Sequence, residues 1–111
     1  MLKPRNVSNL SLHHNLYVHG AERNPQLDGS TVVDLVNNVI YDWGSNYGTR
    51  IRDNSSANLV KNNYIASPAS DETDAVVIDT TTGAQVFSDG NLVPAASDAT
   101  GNLAARLAAP A

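Results

Sequence analysis

The chain has 111 residues, with seven Lys and Arg against eleven Asp and Glu for a formal net charge of −4, and no cysteine. Its 41% hydrophobic content is enough to bury a core, which excludes a disordered chain, and the absence of thiols excludes disulfides. The cations are scattered from Lys3 to Arg106 without a run, so nucleic acid is not an expected partner, and no apolar stretch approaches the roughly 18 residues of a membrane span.

Residues 1–8 are polar, and Pro4 argues against regular structure before about Val7. The opening MLKPRNVSNL lacks the apolar centre of a secretion signal. From Asn9 the run NLSLHH alternates, which predicts a strand with Leu10 and Leu12 on one face and Ser11 and His13 on the other. Asn15 interrupts it, and Leu16 to Val18 resumes as a second strand after a sharp bend. Gly20 and AERNP mark a loop, and Gln26 to Asp28 form a third short strand closed by Gly29. The cycle then repeats with Val32 to Val36, a bend at Asn38, Val39 to Asp42, a loop from Trp43 to Gly48, and Thr49 to Arg52. A third round has Asn58 to Lys61, Asn63, Tyr64 to Ala66, a turn-forming SPASDETD insert, and Val76 to Asp79. A fourth has Ala84 to Ser88 and Asn91 to Val93. Beyond Pro94 the Ala-rich segment 95–111 is expected to form two helical turns with Asn102 as N-cap, or to fray.

Three short strands per cycle, with bends at Asn15, Asn38, Asn63 and Asn91, give spacings of 23, 25 and 28 residues. Periods in the twenties mark a solenoid whose repeats bury their apolar faces only against neighbours. The expected fold is therefore an all-β parallel β-helix of about four coils over residues 1–94. The asparagines have a structural reading. At a bend the backbone loses ladder partners, and stacked carboxamides both donate and accept along the solenoid axis.

Three segments, HHNLYVHGAERNPQL, VDLVNNVIYDWG and ANLVKNNYIASPA, together resemble the pectate lyases of polysaccharide lyase family one. The likeness covers about residues 7–68 and, more loosely, GAQVFSDGNL at 83–92. It implies a right-handed parallel β-helix that cleaves pectate-like polyuronate by β-elimination, usually secreted and calcium-dependent, and a monomer when full length. In that family the arginine of an R-x-P motif removes the proton. Here the motif is Arg23-Asn24-Pro25, so Arg23 inherits the role. Many members extend the motif to R-x-P-x-x-R, whose last arginine holds substrate, whereas this chain has Asp28 there. If Leu27 and Ile51 both point inward, Arg50 and Arg52 point outward beside Gln26 and Asp28. Arg52 is then expected to pair with Asp28, or Arg50 to meet a substrate carboxylate.

The calcium-binding carboxylates of the family lie before the arginine motif, and only 22 residues precede Arg23, so no position here matches them. The resemblance therefore implies the C-terminal portion of a longer enzyme, with the β-helix incomplete at its N-terminal end. The cluster Asp71, Glu72, Asp74 lacks calcium-loop spacing and reads as a solvated turn. His13, His14 and His19 invite a metal reading, but adjacent strand residues face opposite sides and bend or core histidines are expected instead. Trp43 and Tyr47, in a loop, either stack on sugar rings or, as loop aromatics more often do, pack over the end of a coil. Asn6, Asn9 and Asn54 occupy N-x-S acceptors. The competing reading is a non-catalytic β-solenoid that binds carbohydrate or serves as a surface module.

Overall fold

The computed structural model describes residues 2–44, 47–67 and 74–93, and within them the architecture is all-β with parallel sheets. Sheet one holds β1 (Leu10–His13), β4 (Val32–Val36), β7 (Ser56–Val60) and β10 (Gln85–Asp89). Sheet two holds β2 (Leu16–Val18), β5 (Val39–Tyr41) and β8 (Asn63–Ile65), and sheet three β3 (Gln26–Leu27), β6 (Tyr47–Ile51) and β9 (Asp74–Ile78). Every pairing is parallel, and the chain visits the three sheets in turn. This stacking is consistent with a β-helix-like solenoid. The predicted boundary at residue 94, the Asn102 cap, and Asp71 and Glu72 lie outside the described residues.

Alternation along each strand produces the core. In sheet one Val33 and Leu35 are buried between exposed Val32 and Asp34, and the parallel register sets Leu10, Val33, Ala57 and Val86 in one inward column. Leu27, Ile51 and Ile78 form the matching column of sheet three. Because every neighbour lies one coil away, each apolar residue meets its counterpart from the adjacent repeat, which is why the sequence period carries the fold.

As expected, no strand forms before Val7, yet the opening residues are tied to the chain, with an isolated bridge at Arg5. Residues 2–5 are ordered along β3: Leu2 N–H donates to Arg23 O at 2.8 Å, Gln26 N–H to Leu2 O at 2.9 Å and Asp28 N–H to Pro4 O at 3.1 Å. Pro4 is tolerated because its carbonyl accepts while its missing N–H is not called upon. A correction is needed at the third bend. The asparagine stack runs Asn15, Asn38, Asn62, Asn91, and Asn63 instead opens β8 opposite Val39. The backbone N–H and Nδ2 of Asn38 both donate to Asn62 Oδ1 at 3.0 Å, and Asn62 Nδ2 donates to Leu35 O at 2.8 Å. The separations are thus 23, 24 and 29 residues.

The residue before each ladder asparagine explains the choice. His14, Asn37, Lys61 and Gly90 all have positive φ, between 54° and 67°, turning the chain so that the next side chain points inward. Gly90, the residue with least penalty there, fixes Asn91 as the ladder member, and Asp89 opposite Val60 then places Lys61 and Asn62 in the same roles. The same backbone turn makes His14 a bend histidine, as expected, and corrects only the opposite facing of His13 and His14. His14, at φ 55°, brings its Nδ1 to 3.0 Å from His13 Nδ1, so the two rings lie side by side on the exposed edge.

Candidate functional site

Sheet three is where the charges of the molecule converge. Arg23 lies at the entrance to β3, with φ 59° and a cis Asn24–Pro25 peptide following it. The turn is clamped to the next coil: Asn24 N–H donates to Gly48 O at 2.8 Å, Thr49 Oγ1 donates to Asn24 O at 2.7 Å, and Arg50 N–H donates to Pro25 O at 3.1 Å. Gly44 lets the neighbouring loop approach, since a Cβ there would lie 2.8 Å from Ala21 Cα. Arg23 is thereby held by its backbone while its side chain stays partly exposed. Its Nε sits 3.7 Å from Glu22 Oε1 and, though buried, has no protein hydrogen-bond partner.

Arg50 emerges from β6 directly beside Gln26. Its Nη2 reaches Asp79 Oδ2 at 3.2 Å, its guanidinium lies 5.8 Å from the Tyr47 ring centroid, and its Nε is likewise buried without a partner. Asp79 is held below the usual carboxylate range by the Thr81 hydroxyl and by Arg50, against the opposing effect of burial. Arg52, two residues on, pairs with Asp28 through Nε to Oδ1 at 2.5 Å and Nη2 to Oδ2 at 3.3 Å.

Asp28 is the least expected member. The sequence places it where an outward residue belongs, yet it is 0% exposed, covered by the paired segment Leu2–Arg5. Gln26 Nε2 donates to both of its oxygens at 3.2 Å, and Lys3 Nζ lies 3.2 Å from Oδ2. Burial alone would raise its pKa, but the bonds from Arg52, Gln26 and Lys3 outweigh it and hold the carboxyl at about 2. Tyr47 donates its hydroxyl to Gln26 Oε1, which extends the network beneath the Arg50 platform.

The two aromatics take the packing alternative. Trp43 is 0% exposed and packs edge-to-face on Tyr64, with centroids 6.2 Å apart. Tyr47 is also buried, as the first residue of β6, so neither presents a face to a sugar. The reason is packing: both leave the loop where it closes over the interior, and large aromatic surfaces gain most from complete burial there. Sequence reasoning also missed Lys3 and Asp79. Lys3 had no periodic signal, and Asp79 is read as a strand end until the register sets it beside Arg50.

Among the described residues no group of three or more His, Cys, Asp or Glu is placed to hold a metal ion. His19 instead bonds through Nδ1 to Asp42 Oδ2, and Asp42 also accepts from the Ser67 hydroxyl. These contacts, Ser67 first and His19 second, hold Asp42 below the usual range. Among the described residues no helix is long and apolar enough to cross a membrane.

No family model and no solved structure matches the chain. It is similar to curated fungal proteins. One from Aspergillus terreus, named probable pectate lyase C, is 39% identical over 67 residues, covering 58% of this chain and 16% of that protein. Its namesake from Neosartorya fischeri is 37% identical over the same length and shares, and that from Emericella nidulans is 38% identical over 64 residues, 58% of this chain and 14% of that protein. The chain thus has a partial relationship to proteins named as pectate lyases, spanning about a sixth of their length.

Proposed function

We propose that this chain is part of a polysaccharide lyase that cleaves pectate-like polyuronate by β-elimination, with Arg23 as Brønsted base, on a right-handed parallel β-helix. The observation that supports it most directly is Arg23 itself. Its Nε makes no hydrogen bond and meets only Glu22 at 3.7 Å, its backbone is clamped on both sides, and it opens a sheet face that carries Arg50, Arg52 and Lys3, while the chain is similar to proteins named as pectate lyases over 58% of its length. The handedness follows from the general rule that a connection returning to the same sheet in parallel is right-handed in about 98% of cases.

In the reaction the base takes the proton on the ring carbon that bears the carboxylate. The glycosidic C–O bond at the adjacent carbon breaks, a carbon–carbon double bond forms, and the departing oxygen is protonated by solvent. Cations near the carboxylate acidify that proton by stabilising the developing enolate. Arg50, whose backbone N–H bonds to Pro25 O and whose Nη2 pairs with Asp79, is the residue proposed to supply such a charge. A free guanidinium has a pKa above about 12, so activity is expected to rise toward alkaline pH. Calcium enters through the resemblance. The described residues gather no ligand set for it. Secretion belongs to the same proposal.

The test is the ultraviolet absorbance of an unsaturated uronide formed from polygalacturonate with calcium. Arg23→Ala is expected to lower the rate by about 10²- to 10⁴-fold, as for loss of a positioned general base. A signal unchanged in Arg23→Ala removes the role. Absence of signal with retained binding leaves the alternative, a carbohydrate-binding solenoid.

A further inference from the structure

We propose that His13 and His14 form a two-nitrogen site for a divalent transition-metal ion of the copper(II) class, at the bend between sheets one and two. The inference is independent of the lyase reading, and Arg23 has no part in it. The geometry that carries it is local. His13 ends β1 and His14 follows at φ 55°, a left-handed step that undoes the alternation by which adjacent strand side chains face opposite ways. The backbone of His14 is fixed there by its N–H, which donates to Val36 O at 3.1 Å. The two Nδ1 atoms stand 3.0 Å apart, with the ring planes at 90° and the centroids separated by 5.2 Å, so the nitrogens are turned toward each other and the ring faces do not stack. Both residues are exposed, and among the described residues neither Nε2 has a protein partner.

Two neutral imidazoles satisfy this contact only with a proton between them, one Nδ1 donating and the other accepting. A metal ion bonded to both nitrogens takes the place of that proton, which passes to Nε2 of the same ring, so a neutral pair releases no proton on binding. The exposed side chains rotate to converge both lone pairs on one ion without disturbing the core, and water fills the remaining positions. With metal–nitrogen bonds of about 2.0–2.1 Å, nitrogens 3.0 Å apart subtend roughly 90–100° at the ion, whereas a tetrahedral ion needs them about 3.4 Å apart. The smaller angle is that of neighbouring ligands on tetragonal copper(II), which also heads the divalent affinity order. Calcium, which takes oxygen ligands, is not suited to it. The surroundings leave the site open. Val36 pairs with His13 in the next coil, Asn37 holds the position equivalent to His14, and Lys61 follows two coils away, roughly 10 Å at 4.8 Å per strand. Of the chain's three histidines two stand at this one bend; the equivalent pairs in later coils are Val36-Asn37, Val60-Lys61 and Asp89-Gly90.

The test is titration of the chain with copper(II) chloride, glycine serving as competitor, read by electron paramagnetic resonance. One equivalent is expected to bind, with hyperfine coupling from two imidazole nitrogens. His14→Asn is the sharper variant, because asparagine accepts a left-handed φ, as Asn37 does at 54° one coil on, so the bend is kept while the nitrogen is lost. Loss of even a supporting partner costs a metal site roughly 10–100-fold in affinity, and His14→Asn and His13→Gln, each losing a ligand, are expected to fall by at least that much. Both alter exposed side chains, so each reports on the site independently of the other. His19→Gln, which removes the pair with Asp42, is expected to bind copper as the parent does. An excess of calcium is expected to leave the copper signal unchanged. Parent-like affinity in His14→Asn or His13→Gln, loss of the site in His19→Gln, or displacement by calcium overturns the proposal. So does equal affinity of the parent unfolded in urea, since the two adjacent histidines would then bind without the bend that brings their nitrogens together.

Discussion

The bend between sheets one and two and the entrance to sheet three solve the same problem, turning a parallel chain onto the next face, with opposite chemistry. The first uses neutral carboxamides repeated coil after coil, with Asn38, Asn62 and Asn91 each accepting from the preceding asparagine and donating to a backbone carbonyl of an adjacent strand. The second uses no repeated residue. It combines an arginine, an asparagine held by its backbone, and ion pairs that differ at every level: Lys3 and Arg52 with Asp28, then Arg50 with Asp79. Stacked amides satisfy each other without net charge and so suit the interior. Charges remain where solvent, or a charged ligand, reaches them. A scaffold is recognised by repetition, and a site by its interruption.

The contrast is sharpened first at Trp43, which closes the loop into sheet three. Trp43→Ala is expected to cost about 3–5 kcal/mol of stability through the cavity it leaves, read as a lower denaturant midpoint. A variant of normal stability with weakened sugar binding would break the assignment of Trp43 to the core. The ladder comes next. Asn62→Ala removes the acceptor of the Asn38 backbone N–H and side chain, leaving buried donors unmet, and about 3 kcal/mol of destabilisation is expected; Asn63→Ala, one residue away, is expected to cost less than about 1 kcal/mol. Equal losses at the two positions would erase the distinction between ladder and strand.

The smallest effect belongs to the charged region. Asp28 has a folded pKa of about 2 against 3.8 for the unfolded group. A depressed carboxylate contributes stability that is fully present above pH 3.8 and is lost as pH falls through 2. With the exposure of its partners discounted, the loss is about 1–2 kcal/mol. Melting temperatures of the parent chain and of Asp28→Asn followed from pH 5 to pH 2 check this: the gap between them should close in acid. A gap that stays constant means that the ion pairs do not hold this corner of the fold.

Much of this was legible in advance because a solenoid writes its contacts into a local period. Strict alternation in Val32 to Val36 names the inward residues without any partner being known, and the stacking of Leu27 on Ile51 follows from their separation. The pairing of Arg52 with Asp28 was one of two readings that the alternation left open. The tandem Asn62-Asn63 was ambiguous for the same reason that alternation is powerful: a slip of one residue exchanges the faces, and only the Gly90-Asn91 step, where positive φ is least costly, carries a hint of the register.

What the sequence by itself determined is the all-β alternation, the coil length and the residues that line the interior, since each depends on spacing along one chain. What only the tertiary structure decided is which side chains are covered by another coil. Trp43 and Tyr47 passed from candidate platforms to core, Asp28 from surface to buried anion, and Lys3 from a polar leader to a member of the site. Burial of an outward-facing residue depends on a neighbouring segment laid across it, here Leu2–Arg5 along β3, and pairing between coils is set by backbone hydrogen bonds that no side-chain pattern announces.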